Sequence, residues 1–143
     1  MPSFWLILTD WLERNQKKFS TLRMTLSSGT APPRSLVEKL ERDYGVEHVQ
    51  AWGMTEALMS TMASLKPGKD KLSFKERIDY RLKSGRGIFG VKMKIVDDAG
   101  KELARDGKAS RHLRVKGPWI ASGYLKSDGA LDAEGSLKTG DTA

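Results

Sequence analysis

At 143 residues the chain has room for one compact domain, and 38% hydrophobic against 30% charged residues supports a packed core and excludes a disordered or fibrous class. The formal net charge of +7 would suit nucleic acid, an anionic membrane surface or anionic small molecules. Its basic residues are scattered among acids with no aromatic-and-basic module, so a solvated surface is the preferred reading and no nucleic-acid partner is expected.

The chain has no cysteine, which excludes disulfides, thiolate nucleophiles and Cys-ligated zinc. The longest apolar run near the start, Phe4-Trp5-Leu6-Ile7-Leu8, is far short of the ~20 residues that a membrane span needs. It also lacks a basic leader and a small-residue cleavage site. No transmembrane segment and a cytoplasmic location are therefore expected.

In chain order, Ser3 can cap a helix running to about Asn15, with Phe4, Leu8, Trp11 and Leu12 as its apolar stripe. Leu22 to Leu26 reads as a short strand, followed by the small-residue loop Ser27-Ser28-Gly29-Thr30-Ala31. Pro32-Pro33 opens a second helix, lined by Leu36, Val37, Leu40 and Tyr44 and ended by Gly45. Val46 to Trp52 reads as a buried strand, and Ser60 to Leu65 as another. Strand, glycine loop, helix and strand again is the pattern of an α/β sheet whose loops gather at one edge.

A polar linker over 66–71 leads to Ser73-Phe74-Lys75-Glu76, which fits a capping box for a helix with Phe74, Ile78 and Leu82 on one face. Beyond Gly90 the period becomes two. Val91, Met93 and Ile95 alternate with lysines, Asp97 to Gly100 reads as a turn, and Leu113 and Val115 alternate with Arg114 and Lys116. The fold class is α/β, with an α/β portion over 1–89 and a mostly-β portion over 90–143.

Three segments carry residues suited to a nucleotide. In Gln50-Ala51-Trp52-Gly53-Met54-Thr55-Glu56, the glycine admits a close ligand and Trp52 offers a flat face to a purine. Thr55 supplies a hydroxyl for a phosphate oxygen, and Glu56 a carboxylate suited to magnesium. Taken alone, a buried strand ending at a helix cap accounts better for these residues, with Thr55 as the cap and Glu56 in the first turn. The loop of Gly29, Thr30 and Ala31 could face the edge of an adenine, or be an ordinary strand-to-helix connection. Asp141, in Thr139-Gly140-Asp141, could accept both ribose hydroxyls, or sit in a surface turn. No Gly-x-x-x-x-Gly-Lys-Ser/Thr run occurs, which excludes a P-loop ATPase. His48 and His112 read as strand residues with ordinary hydrogen bonds.

Together and in this order, these segments resemble the adenylate-forming superfamily of acyl-CoA synthetases, luciferases and peptide-synthetase adenylation domains. The medium- and long-chain fatty-acid–CoA ligases are the most similar branch. The resemblance rests on Tyr44-Gly45-Val46 with Gln50 to Glu56, on Phe89-Gly90-Val91-Lys92-Met93-Lys94-Ile95-Val96-Asp97-Asp98, on Val115-Lys116-Gly117-Pro118-Trp119-Ile120 with Gly123-Tyr124, and on Leu137-Lys138-Thr139-Gly140-Asp141. It spans almost the whole chain, and it departs from the family at Ser28, Ser110, Arg111 and Ser136.

The resemblance implies part of the large N-terminal domain of a ligase that uses ATP, Mg2+ and CoA to activate a fatty acid. It implies that Gly29, Thr30 and Ala31 border the adenine, Trp52 lies against the purine, and Gly53 and Met54 lie near the acyl group. Thr55 would touch the α-phosphate, Glu56 hold the metal, and Asp141 bind the ribose. The family's phosphate loop, hinge and lysine-bearing C-terminal domain are not found in this chain, so by itself it is expected to be inactive. A stand-alone adenine-nucleotide-binding or interaction module, or an adenylating enzyme for an aromatic or amino acid, are the alternatives.

Overall fold

The computed structural model describes residues 1–65 and 71–143. The expected polar linker over 66–71 lies almost wholly outside the described residues. Helix α1 spans Pro2–Arg14 with Met1, not Ser3, at its N-cap and no side-chain cap. A proline in the first turn has no N–H to satisfy, so the missing cap costs little.

The apolar stripe expected on α1 is rotated. Pro2, Thr9 and Leu12 are buried, whereas Phe4 and Trp11 are 58% and 51% exposed. The Trp5 indole N–H donates to the Leu26 carbonyl at 3.1 Å, which draws that side of the helix inward. Thr9 tolerates burial because its hydroxyl donates to the Trp5 carbonyl at 2.8 Å.

Strand β1 (Met24–Ser27), helix α2 (Arg34–Asp43) and strand β2 (Glu47–Met54) form a strand–helix–strand unit. The strands are parallel, with Thr25 opposite His48 and Ser27 opposite Gln50. Pro33 stands one position before α2 as its extended N-cap, rather than inside the helix. Leu36, Val37 and Leu40 are buried on one helical face, as their spacing predicts. Each buried side chain of this size is worth ~1.5–3 kcal/mol. Gly45 follows the helix with φ +64°, in the left-handed region where glycine is unstrained.

Strand β2 turns back at Thr55-Glu56 into strand β3 (Ala57–Met62), which begins earlier than the sequence predicts. The two strands thus form a hairpin, and neither Thr55 nor Glu56 caps a helix. Helix α3 (Phe74–Arg81) carries the predicted capping box: Ser73 Oγ accepts from the Glu76 amide, and Glu76 Oε2 accepts from the Ser73 amide at 2.9 Å. Its inward residues are Ile78 and Arg81. The Arg81 guanidinium pairs with Glu41 and, at 2.7 Å, with Glu47, so the buried charge is compensated. With the short strand β4 (Arg86–Gly87), the sheet order is β1-β2-β3-β4.

A second sheet, of order β5-β6-β7, contains β5 (Lys92–Val96), β6 (His112–Lys116) and β7 (Leu137–Thr142), paired antiparallel. Its core is Val96, Leu113, Val115 and Leu137. The predicted turn is present: Asp97 accepts from the Ala99 and Lys101 amides at 3.0 and 2.9 Å. By its internal contacts the chain forms two compact units. One comprises Met1–Met54 with Met59–Arg86, the other Thr55–Leu58 with Gly87–Ala143.

Gly85 has φ +86°, and a Cβ there would collide with the Met62 carbonyl group. Gly85→Ala should cost about 2–5 kcal/mol, read as a lowered midpoint in urea. His48 is fully buried in β2, and burial, then the Arg81 charge, pushes its pKa from 6.5 down to about 4. The folded state therefore binds fewer protons than the unfolded chain between these values. Stability should fall as pH drops from 6.5 towards 4, by on the order of 3 kcal/mol in total. Thermal melts at stepped pH, compared with His48→Phe, would isolate that slope.

Candidate functional site

The residues singled out in the sequence come from four places. Gly29, Thr30 and Ala31 form the exposed loop after β1, and Gly29 has φ +91°. Trp52, Gly53 and Met54 are the half-buried last residues of β2. Thr55 and Glu56 form the hairpin tip, Thr55 exposed and Glu56 half-buried. Asp141 lies exposed on β7, its amide donating to Thr139 Oγ1 at 3.1 Å. The loop and the end of β2 belong to the first unit, and Thr55, Glu56 and Asp141 to the second.

Within the first unit, parallel pairing brings the loop and the end of β2 to the same edge of the sheet. A direct bond ties them: Gln50 Nε2 donates to the Thr30 carbonyl at 3.2 Å. Trp52 is anchored from the next strand, where Thr61 Oγ1 accepts from its amide at 3.2 Å and donates to the Ser84 carbonyl. The backbone of this edge is thus held by side-chain bonds as well as by the sheet ladder. Beneath it, His48 contacts Thr25 Oγ1 at 2.9 Å and Ser27 Oγ at 3.0 Å, and Ser27 Oγ donates to Gln50 Oε1 at 3.1 Å.

Within the second unit, Glu56 is held at both ends. Its carbonyl accepts from the Ala121 amide at 2.7 Å, and Ala57 bridges Ile120. Its carboxylate accepts a hydrogen bond from the Tyr124 hydroxyl. That bond, then burial and the Glu56 charge, raises the Tyr124 pKa. Among the described residues, no three or more His, Cys, Asp or Glu side chains are grouped to hold a metal ion. Magnesium that arrives on phosphate needs only one or two protein carboxylates, and the single Glu56 side chain fits that donor set.

A cavity of about 540 Å³ in the second unit is lined by Lys92, Lys94, Arg105 and Lys116 among others. Three of its cations are already committed. Lys94 pairs with Asp132 and Glu134 at 3.0 and 2.7 Å, Lys116 donates to the Glu134 carbonyl at 2.6 Å, and Arg105 lies 3.6 Å from Glu102. These pairs close the small sheet and leave little for an anion.

Tyr124 and Gln50 stand inside the quoted motifs without a role that their residue type alone would assign, and His48 reads as an ordinary strand residue. The available signal was the match of two polar pairs, Thr25 with Ser27 and His48 with Gln50. Each pair is spaced by two, so it falls on a single face once the strands are aligned.

Among the described residues no helix is long and apolar enough to cross a membrane. Over its whole length the chain is 36% identical to a long-chain-fatty-acid–CoA ligase of Thermus thermophilus and 34% identical to a medium-chain-fatty-acid–CoA ligase of Ectopseudomonas oleovorans. It spans about 27% of the length of each of these curated relatives. A crystal structure of a long-chain-fatty-acid–CoA ligase from Archaeoglobus fulgidus superimposes on 99% of the chain with a TM-score of 0.76 at 26% identity, the match covering 30% of that protein. The structure of VinN gives 0.78 at 26% identity, over 99% of this chain and 34% of the other. Residues 1–125 match the AMP-binding enzyme family, and the chain belongs to that family.

Proposed function

We propose that the protein carrying this chain is an AMP-forming acyl-CoA ligase that activates a fatty acid with ATP. What carries the reading is the edge at the end of β2. There the loop of Gly29, Thr30 and Ala31 is tied to β2 through Gln50, and the strand continues through Trp52 into the Thr55-Glu56 tip. The names of the relatives support the chemistry, and both fatty-acid ligases cover every residue of the chain.

In the proposed reaction a carboxylate oxygen attacks the α-phosphorus of ATP, forming a mixed anhydride and releasing pyrophosphate. The CoA sulfur then attacks the acyl carbon and AMP leaves, the thiol proton passing to solvent. Magnesium, when bound with the nucleotide, supplies charge neutralisation on the phosphates, and Glu56 is the residue that would hold it. Gly29, Thr30 and Ala31 border the adenine, and Trp52 packs against the purine. Thr55 donates to an α-phosphate oxygen, and Gly53 and Met54 lie next to the acyl group. Asp141 accepts the ribose hydroxyls. In this scheme the residues act by positioning and charge stabilisation, with no protein nucleophile.

Glu56→Gln in the complete protein should lower fatty-acid-dependent ATP–pyrophosphate exchange by about 100-fold, the loss typical when one electrostatic partner of a transition state is removed. Exchange near the wild-type rate would defeat the role given to Glu56. Wild-type protein that binds ATP but exchanges no pyrophosphate with fatty, aromatic or amino acids would favour a non-catalytic nucleotide module instead. The chain alone, spanning about 27% of its relatives' length, should form no acyl-CoA at any chain length. Turnover by the isolated chain would overturn that division of labour.

A further inference from the structure

We propose that Thr25, His48, Ser27 and Gln50 form a one-way hydrogen-bond relay that fixes the Thr30 carbonyl, making His48 and Gln50 positioning residues for purine binding. The inference rests on the assignment of the Gly29–Ala31 loop to the purine.

The order of the relay follows from the hydroxyl protons. Ser27 has one, and it goes to Gln50 Oε1 at 3.1 Å. Towards His48, therefore, Ser27 Oγ accepts, and the 3.0 Å contact is a bond from Nε2–H. A neutral imidazole protonated on Nε2 presents Nδ1 as an acceptor. Thr25 Oγ1 lies 2.9 Å from that nitrogen and 3.3 Å from the Glu47 carbonyl, so its proton goes to the nearer partner. With Oε1 of Gln50 accepting, its Nε2 is left to donate to the Thr30 carbonyl at 3.2 Å. Thr25 gives the first bond, and His48, Ser27 and Gln50 each take one and give one in the same direction.

Burial gives the relay its rigidity. Thr25 is 2% exposed, Ser27 1%, His48 0% and Gln50 5%. None can exchange its partner for water without opening the sheet, and a Gln50 amide flip would put its NH2 against a committed Ser27 hydroxyl and its oxygen against a carbonyl. The loop needs such support. Thr30 and Ala31 are exposed, and Gly29 and Ala31 offer no side chain large enough to pack the loop down.

The relay is tested by Gln50→Glu, which keeps the shape and replaces the donor facing Thr30 with an oxygen. In the complete ligase the KM for ATP should rise about tenfold, while the KM for the fatty acid stays within about twofold. Ser27→Ala, a smaller change, should raise the KM for ATP about threefold and serves if Gln50→Glu does not fold. An unchanged KM for ATP in a variant that melts as a folded protein would overturn the proposal, as would a fall in kcat alone. Histidine nitrogen shifts, with His48→Phe to identify the signals, report the relay without reference to activity. A neutral ring protonated on Nε2 supports it, and protonation on Nδ1 overturns it. If the wild-type protein shows no adenylation, the ligase reading fails, while the nitrogen shifts still decide whether the relay exists.

Discussion

The parallel register of β1 and β2 is the constraint on which the rest of the first unit depends. Helix α2 connects the two strands and buries Leu36, Val37 and Leu40, which keeps the connection short and the strands in line. That alignment places Thr25 opposite His48 and Ser27 opposite Gln50. A slip of one residue would send the two polar side chains of the shifted strand to the other face and leave all four without these partners. The same alignment brings the Gly29–Ala31 loop beside the end of β2, so packing behind the sheet determines what its edge can present.

A buried histidine next to a buried arginine is a demanding arrangement, and the structure handles the two differently. Arg81 is paired with Glu41 and Glu47, which compensate its charge. His48 has only neutral partners and, lying near Arg81, stays uncharged. A neutral ring gives and takes one hydrogen bond each, as an ordered chain requires, and a protonated ring would break that order. The electrostatics of the core and the geometry of the loop are therefore linked.

Much of this architecture was legible in the sequence, because it rests on local chemistry. The helix stop at Gly45, the capping box at Ser73 and Glu76, and the change to a two-residue period beyond Gly90 each follow from a residue type at a known spacing. The misreadings have a common cause in distant partners. The inward face of α1 is set by an indole bond to Leu26, and a threonine occupies the core position that a hydrophobic pattern would give to Phe4 or Trp11. The β2–β3 turn uses Thr55 and Glu56, without the Gly, Asn or Asp that usually mark a hairpin. The residues proposed to touch ligand lie in motifs that a family resemblance makes visible. Those beneath them emerge only when two strands are laid side by side.

Because each member of the buried chain of bonds fixes the polarity of the next, these positions are not free to drift singly. Exchanging one leaves a neighbour with a surplus proton or a bare lone pair, and the penalty for such a mismatch exceeds the worth of the bond itself. Replacing neighbouring members together, with the give-and-take preserved, carries a much smaller burden. Descendants of this sequence should therefore retain the quartet whole or change it in matched pairs, a form of epistasis written into the core by the direction of its protons.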